Sequence, residues 1–400
     1  MPGDLEGKRL LAAAHLKVGD LLAVTGDGAG AVAAYRAAIS LNEALAPENL
    51  DDLVQLSLNW VALGGTLTDQ GQLDEALAAL RTALELRERA LAARPGDVLR
   101  RRGVAGAHVT LADVYARRGE SAKALTEYLV GLEQYEAVVR DAPVYRGDLA
   151  PLYQRVGVAL RDAGERARGV ELLTKGLRNA EDRLARDPAD TVAQRNLAGA
   201  HSTLGDTLLD SDPPAALAHY REALAASRKL AAADPANTQL ARDIVVVLFQ
   251  LGKGARRSAD LALAEQSQVE ALALGEQLLA ASPESVMARA DVADALLELG
   301  RVRAARSQWG LALEHQARAL ALYEQLVVEV PKDPAWLAAR ASLAGELART
   351  HAALGHHDLS CELWGRAKDH WLALKGSGLL SPEDRAQPEL AEQALAACRR

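Results

Sequence analysis

Three stretches of the chain carry residue types that could do chemistry. Residues 24–35, VTGDGAGAVAAY, set Gly26, Gly28 and Gly30 in a GxGxG run. Glycines so spaced let a backbone close on a phosphate, but that loop needs a strand before it and a βαβ unit around it. Neither is present, so the run reads as a turn. The stretch LGKGARRS at 251–258 lacks the GxxxxGK[ST] spacing of a phosphate loop. Near the end stand His351, His356, His357 and His370, with Cys361 one turn beyond His357. A His–Cys pair at i, i+4 supplies two corners of a tetrahedral metal site, and His356 or Asp358 would have to add to them. The competing reading is a polar turn between helices with Cys361 in the core. No Ser/His/Asp or Cys/His arrangement stands out, and GSG at 376–378 is not a GxSxG elbow. No catalytic, cofactor-binding or metal-binding residue is assigned, and the chain is expected not to be an enzyme.

Composition narrows the class. Of 400 residues 49% are apolar, 25% charged and 4% aromatic, with Phe249 the single phenylalanine. This is a globular composition whose core must be built from Leu, Val and Ala. The net charge of −8 argues against nucleic acid as a partner. Two cysteines, Cys361 and Cys398, make neither a disulfide framework nor a zinc spacing, which points to a reducing compartment. The opening MPGDLEGKRLLAAAHLK has no secretion pattern. The longest apolar run, IVVVLF at 244–249, is far too short to span a bilayer, so no membrane partner is expected. The excess of arginine over lysine hints at a GC-rich genome.

The elements that would position any site show themselves as repeats. Pro95, Pro143, Pro188, Pro235, Pro283 and Pro331 fall 48, 45, 47, 48 and 48 residues apart. HLKVGD at 15–20 returns as HVTLAD at 108–113 and HSTLGD at 201–206. A first small site runs through Gly19, Gly64, Ala112, Gly157, Gly205, Gly252, Gly300 and Ala348, a mean period of 47, and the residue before it is aliphatic from Val18 to Leu347. A second small site follows at Ala31, Ala76, Ala124, Gly169, Ala216, Ala264, Ala312 and Ser360. A third comes seven residues later, at Ala38, Ala83, Gly131, Gly176, Ala223, Ala271, Ala319 and Ala367. Helices approach closely only where a side chain is nearly absent, and an enlarged one at such a crossing typically costs about 1–3 kcal/mol. Residues seven apart share a helix face. Each repeat is therefore a helix–turn–helix, with Gly26, Gly71, Gly119, Gly164 and Gly355 at the turn. His15, His108 and His201 share one repeat position with Trp60 and Tyr153, and Tyr35, Tyr128, Tyr220 and Trp364 share another. Both positions read as packing between helices.

LGGTLTDQGQLDEALAALRTAL at 63–84 resembles the tetratricopeptide repeat family, and the likeness extends over about residues 8–374. That family's period is 34 residues, so each repeat here carries about 13 more, nearly two extra turns per helix. The resemblance implies an all-α, right-handed α-solenoid of eight long repeats over 1–374. A linker at 375–387 and a capping helix at 388–400 would follow, with Leu390, Ala394, Leu395 and Cys398 as the cap's apolar face. Pro47 and Pro382 break the proline spacing and mark atypical first and last repeats. It also implies a concave groove, lined by the first helix of each repeat, that binds a partner protein or peptide. The residues after the first small site, Asp20, Asp113 and Asp206, then Lys253, Arg301 and Arg349, should face it. One turn on, Asp69, Asp162 and Asp210 give way to Arg256 and Arg257, although Arg117 and Arg161 blur the acidic side, and the set suggests an acidic N-terminal half and a basic C-terminal half. The carboxylate clamp of some family members uses asparagines, and aspartates stand in their place here. A looser likeness joins the chain to the repeat tails of bacterial serine/threonine kinases, although no kinase signature occurs. The expectation is a non-catalytic interaction scaffold in a bacterial cytoplasm, with a ligand-sensing regulatory module as the alternative.

Overall fold

The computed structural model describes residues 5–45, 49–381 and 384–398; Pro47 and Pro382 lie outside them. Every regular element among these residues is helical. The helices come in antiparallel pairs: α1 (Leu5–Val24) with α2 (Gly28–Glu43), α3 (Leu50–Asp69) with α4 (Leu73–Ala93), α5 (Val98–Arg117) with α6 (Ser121–Asp141), and α7 (Leu149–Asp162) with α8 (Arg166–Arg186). Then follow α9 (Thr191–Leu208) and α10 (Pro213–Ala233), α11 (Thr238–Arg257) and α12 (Leu261–Ala281), α13 (Val286–Ala305) and α14 (Trp309–Glu329), and α15 (Pro334–Ala353) and α16 (His357–Gly376). A last helix, α17 (Gln387–Cys398), packs on α16. The chain divides inside α9 into two compact units, Met1–Asn196 and Leu197–Arg400.

Local chemistry sets the helix ends. In the first turn Gly26 N donates to Ala23 O (3.3 Å) and Asp27 N to Leu22 O (2.9 Å), the double closure of a left-handed C-terminal cap. Gly71, Gly119, Gly164 and Gly355 repeat it with positive φ, but Ala259 (φ 62°) and Ser307 (φ 57°) hold the same conformation without being glycine. Their Cβ atoms make that backbone about 1–2 kcal/mol less favourable than it is for glycine. The prolines between pairs are followed by a capping side chain two residues on. Asp97, Asp190, Asn237, Ser285 and Asp333 each accept a backbone N–H of the next helix. Pro143 instead opens a 3-10 turn, Pro143–Asp148, before α7.

The small sites are where the paired helices meet. A Cβ on Gly19 would stand 2.4 Å from the Tyr35 ring, and one on Gly205 2.5 Å from that of Tyr220. On Gly64 and Gly157 it would meet Leu80 and Leu173, both at 2.6 Å. From the other helix, a Cβ on Gly131 would lie 3.2 Å from Ala105 O, and one on Gly176 3.3 Å from Ala150 O. Val18 departs from its aliphatic row: it is 49% exposed.

Two expectations are corrected at the C-terminus. Leu390 is 52% exposed; α17 buries Pro388, Ala391 and Leu395 instead, the i, i+3, i+7 face set by its start at Gln387. The two cysteines, read as unrelated, are joined: Cys361 in the first turns of α16 and Cys398 at the end of α17 form a disulfide with Cα atoms 5.5 Å apart. The antiparallel docking of α17 on α16 brings together residues 37 apart, and the inference of a reducing compartment loses its premise.

Candidate functional site

The first helices of neighbouring pairs touch one another, α1 with α3 and α3 with α5 in the N-terminal unit, and α11 with α13 in the C-terminal unit. The residues singled out by sequence all lie on first helices. Asp20, Asp113 and Asp206 share one arrangement. Each accepts the hydroxyl of the tyrosine that fills the small site beside it: Tyr35 to Asp20 at 3.2 Å, Tyr128 to Asp113 at 2.5 Å and Tyr220 to Asp206 at 2.7 Å. Burial first, and the Asp113 carboxylate second, push the Tyr128 hydroxyl well above its ordinary pKa, so it stays a neutral donor. The sequence held a signal for this. Where the tyrosine is replaced by Leu80, Leu173, Gln268, Gln316 or Trp364, the aspartate position holds Gly65, Val158, Lys253, Arg301 or Arg349.

The basic residues are answered too. Arg161 pairs with its neighbour Asp162 (2.8 Å), and Arg257 pairs with Asp210. Arg256 reaches Glu298 on α13 at 2.7 Å. Arg301 bridges Glu298 (2.5 Å) and Glu346 on α15 (2.7 Å). Arg242 forks onto Asp291 at 2.6 and 3.1 Å. The positive charge expected on these helices is thus largely balanced by carboxylates that a reading of one helical position passed over. Glu298 is 1% exposed. Burial opposes its ionisation, but Arg301 and Arg256 outweigh burial and hold its carboxyl below the usual range. Asp294 goes the other way. Burial, with Asp291 and Glu298 nearby, pushes it up to about 6 although Tyr323 donates to it.

Two cations of the set form no salt bridge among the described residues, although Lys253 lies close enough to Asp294 to favour its ionised form. The Lys253 ammonium lies 6.0 Å from the Phe249 ring centre, and the Arg349 guanidinium 5.4 Å from that of Trp364. Gln268 and Gln316 fill the small-site space at Gly252 and Gly300. Gln268 donates to Phe249 O at 2.9 Å, and its buried Oε1 has no partner among the described residues. Gln316 accepts from Thr350 at 2.8 Å.

The other chemical candidates fall on structural positions. VTGDGAGAVAAY is the α1–α2 turn, with Asp27 capping Gly30 N at 2.9 Å, and LGKGARRS lies at the end of α11. His351 and His356 face each other at 3.1 Å, while Cys361 is in the disulfide. Among the described residues no three His, Cys, Asp or Glu side chains converge as a metal site. His108 bonds Glu127 at 2.7 Å, and His201 faces His219 at 2.9 Å, with burial first and the neighbouring ring second lowering the pKa of His201. No helix among the described residues is long and apolar enough to cross a membrane.

Residues 59–89, on α3 and α4, match the family model of the tetratricopeptide repeat. No curated protein sequence matches the chain. Among solved structures, the apo form of RapI is similar over 98% of both chains, with a TM-score of 0.58 and 13% identity. A Rap protein complexed with competence and sporulation factor is similar over 97% of both chains, with a TM-score of 0.51 and 14% identity. A signal transduction ATPase with numerous domains from Pyrococcus horikoshii, which carries a tetratricopeptide repeat sensor, is similar over 92% of this chain and 49% of its own, with a TM-score of 0.53 and 11% identity. At such identities the likeness is one of fold. Taken with the paired helices, their left-handed turns and the match at 59–89, it gives the chain the all-α, paired-helix fold of tetratricopeptide-type repeats.

Proposed function

We propose that the chain is a non-catalytic scaffold that holds a partner protein or peptide on the first-helix face of its repeats. Lys253 and Arg349 in the C-terminal unit are the contacts for the partner's carboxylates. The observation that carries this reading is the division of labour among the cations of that unit. Arg242, Arg256, Arg257 and Arg301 are bound up with Asp291, Glu298, Asp210 and Glu346, whereas Lys253 and Arg349 rest on aromatic rings. A cation stacked on a ring and in no salt bridge keeps its N–H donors for an incoming anion and gains on-rate from it. The Rap protein crystallised with its factor supports a binding role by likeness of fold. Asp20, Asp113 and Arg161 mark the corresponding face of the N-terminal unit.

The test is capture of partners from the native host on immobilised protein, comparing wild type with the Lys253→Glu/Arg349→Glu double variant. Arg256 is left intact, because its removal would strand buried Glu298. A band captured by wild type should be lost, with an unchanged helical melting curve; equal capture by both proteins would overturn the reading. A second reading, a ligand-sensing module of a signalling system, draws on the sensor repeats of the Pyrococcus horikoshii ATPase. It predicts capture of a signalling enzyme that a small ligand releases.

A further inference from the structure

Where α3, α4 and α5 meet in the N-terminal unit, the surface opens into a cleft of about 510 Å³. It lies beyond the third small site of α4, Ala83, and before the first small site of α5, Ala112. Its walls are therefore built mainly from the turns by which these repeats exceed the usual 34 residues. The cleft is distinct from the ring-stacked cations of the proposed partner face and does not rest on that reading.

Its charge is unbalanced. Four arginines, Arg87, Arg94, Arg100 and Arg102, line it against Asp51 and Asp97. Arg102 is answered by Asp148 at 2.7 Å. The remaining three arginines and two aspartates leave one positive charge. Arg100 meets Asp97 at 3.0 Å and Asp51 at 3.4 Å, but its Nη1 is buried with no hydrogen-bond partner among the described residues, and its side chain is only 8% exposed. Arg87 has no carboxylate partner among the described residues. It donates to Gly103 O at 2.6 Å and to the Ser57 hydroxyl at 3.4 Å, and burial lowers its pKa. A guanidinium does not give up its proton in a protein, so the charge stays and is uncompensated.

Arg87 is also out of place in the repeat. The residue four after the third small site is Asn42, Tyr135, Ala180, Ser227, Gly275, Tyr323 or Trp371 elsewhere, all uncharged and all buried except the half-buried Tyr135. A charge set into a core position without a partner works against stability, and such departures from the local rule cluster at functional sites. The apolar part of the lining is Val54 and Leu58 on α3 and Ala90 on α4. Gly106 lies on its wall beside the Tyr135 hydroxyl. Burial keeps that hydroxyl protonated, a further donor at the rim.

We propose that this cleft binds a small organic acid, a monoanion with an apolar body, whose carboxylate sits between Arg87 and Arg100 and whose body lies on Val54, Leu58 and Ala90. The volume suits a small molecule. The single unbalanced charge suits a carboxylate rather than a doubly charged phosphate, and the guanidinium fork matches a carboxylate's two oxygens.

The experiment titrates the full chain calorimetrically with 4-phenylbutyrate, with 4-phenylbutyramide and with inorganic phosphate. The acid should bind, the amide should bind at least tenfold more weakly, and phosphate should not displace the acid at equal concentration. Arg87→Met should abolish acid binding without lowering the melting temperature. Leu58→Glu, at a position 39% exposed, places an anion in the cleft and should block the acid as well. Arg228→Met, which alters an exposed arginine of the C-terminal unit, should bind as wild type does. No binding of the acid, equal binding of acid and amide, displacement by phosphate, or unchanged binding in both cleft variants would overturn the proposal.

Discussion

The two compact units solve one packing problem in different ways. Over the first small site the N-terminal unit lays Leu80 and Leu173, or a tyrosine whose hydroxyl finds an aspartate. In the C-terminal unit Tyr220 keeps that pairing with Asp206, but two consecutive repeats lay Gln268 and Gln316 in the same space, 0% and 2% exposed. The ties between successive first helices differ in the same sense. Arg155 with Asp113 and Arg117 with Asp69 are pairs open to water, although Arg9 with Asp52 is a partly buried exception. In the C-terminal unit Asp291, Glu298 and Glu346 are buried under their arginines. The backbone slot is set by small residues, and what fills it is free to change. A buried ionic network contributes little net stability and makes the loss of any member expensive, so the C-terminal unit should be the more easily broken by single substitutions.

That contrast can be broken most sharply at Glu298. Glu298→Ala leaves Arg256 and Arg301 without a shared carboxylate and should cost about 3–5 kcal/mol in urea unfolding. Asp69→Ala, in an exposed pair, should cost no more than about 1 kcal/mol. Equal losses would show that burial does not separate the two units.

The next effect is one of pH. Asp294 has a folded pKa of about 6 against an ordinary 3.8, so the folded chain holds its proton more tightly than the unfolded chain. Its contribution is intact below about 4 and is lost as pH rises through about 6, by at most about 3 kcal/mol. Asp294→Asn should remove that fall, because the amide oxygen still accepts from Tyr323. Chemical denaturation of both proteins between pH 4 and pH 8 is the measurement, and parallel curves would count against it.

The smallest effect exchanges the fillings. Leu80→Gln should destabilise by about 2 kcal/mol, because it buries an amide without partners. Gln268→Leu should stabilise by about 1 kcal/mol, because it removes an orphaned Oε1. Should both changes destabilise, the glutamine would belong to its site as specifically as the leucine does.

The features legible in the sequence are local ones. The turn glycines, the capping residue two after each proline and the small sites act within one helix or one hairpin, where spacing along the chain is spacing in space. The aspartate and tyrosine pairs were also within reach, because both members vary together from repeat to repeat. The disulfide and the burial of Leu395 rather than Leu390 depended on where α17 docks, which no period records.

By itself, then, the sequence determined the repeat: helices whose tiny side chains allow close approach, about every 47 residues, and the turns that join them. Only the tertiary structure decided which charges meet. Arg256 and Glu298, or Arg301 and Glu346, are joined by the way one hairpin lies on the next, and long flexible side chains choose among several partners at that distance. The same physics hid the cleft beside Arg87. Its unanswered charge is a property of what fails to arrive there, and that is settled only when the neighbouring helices are in place.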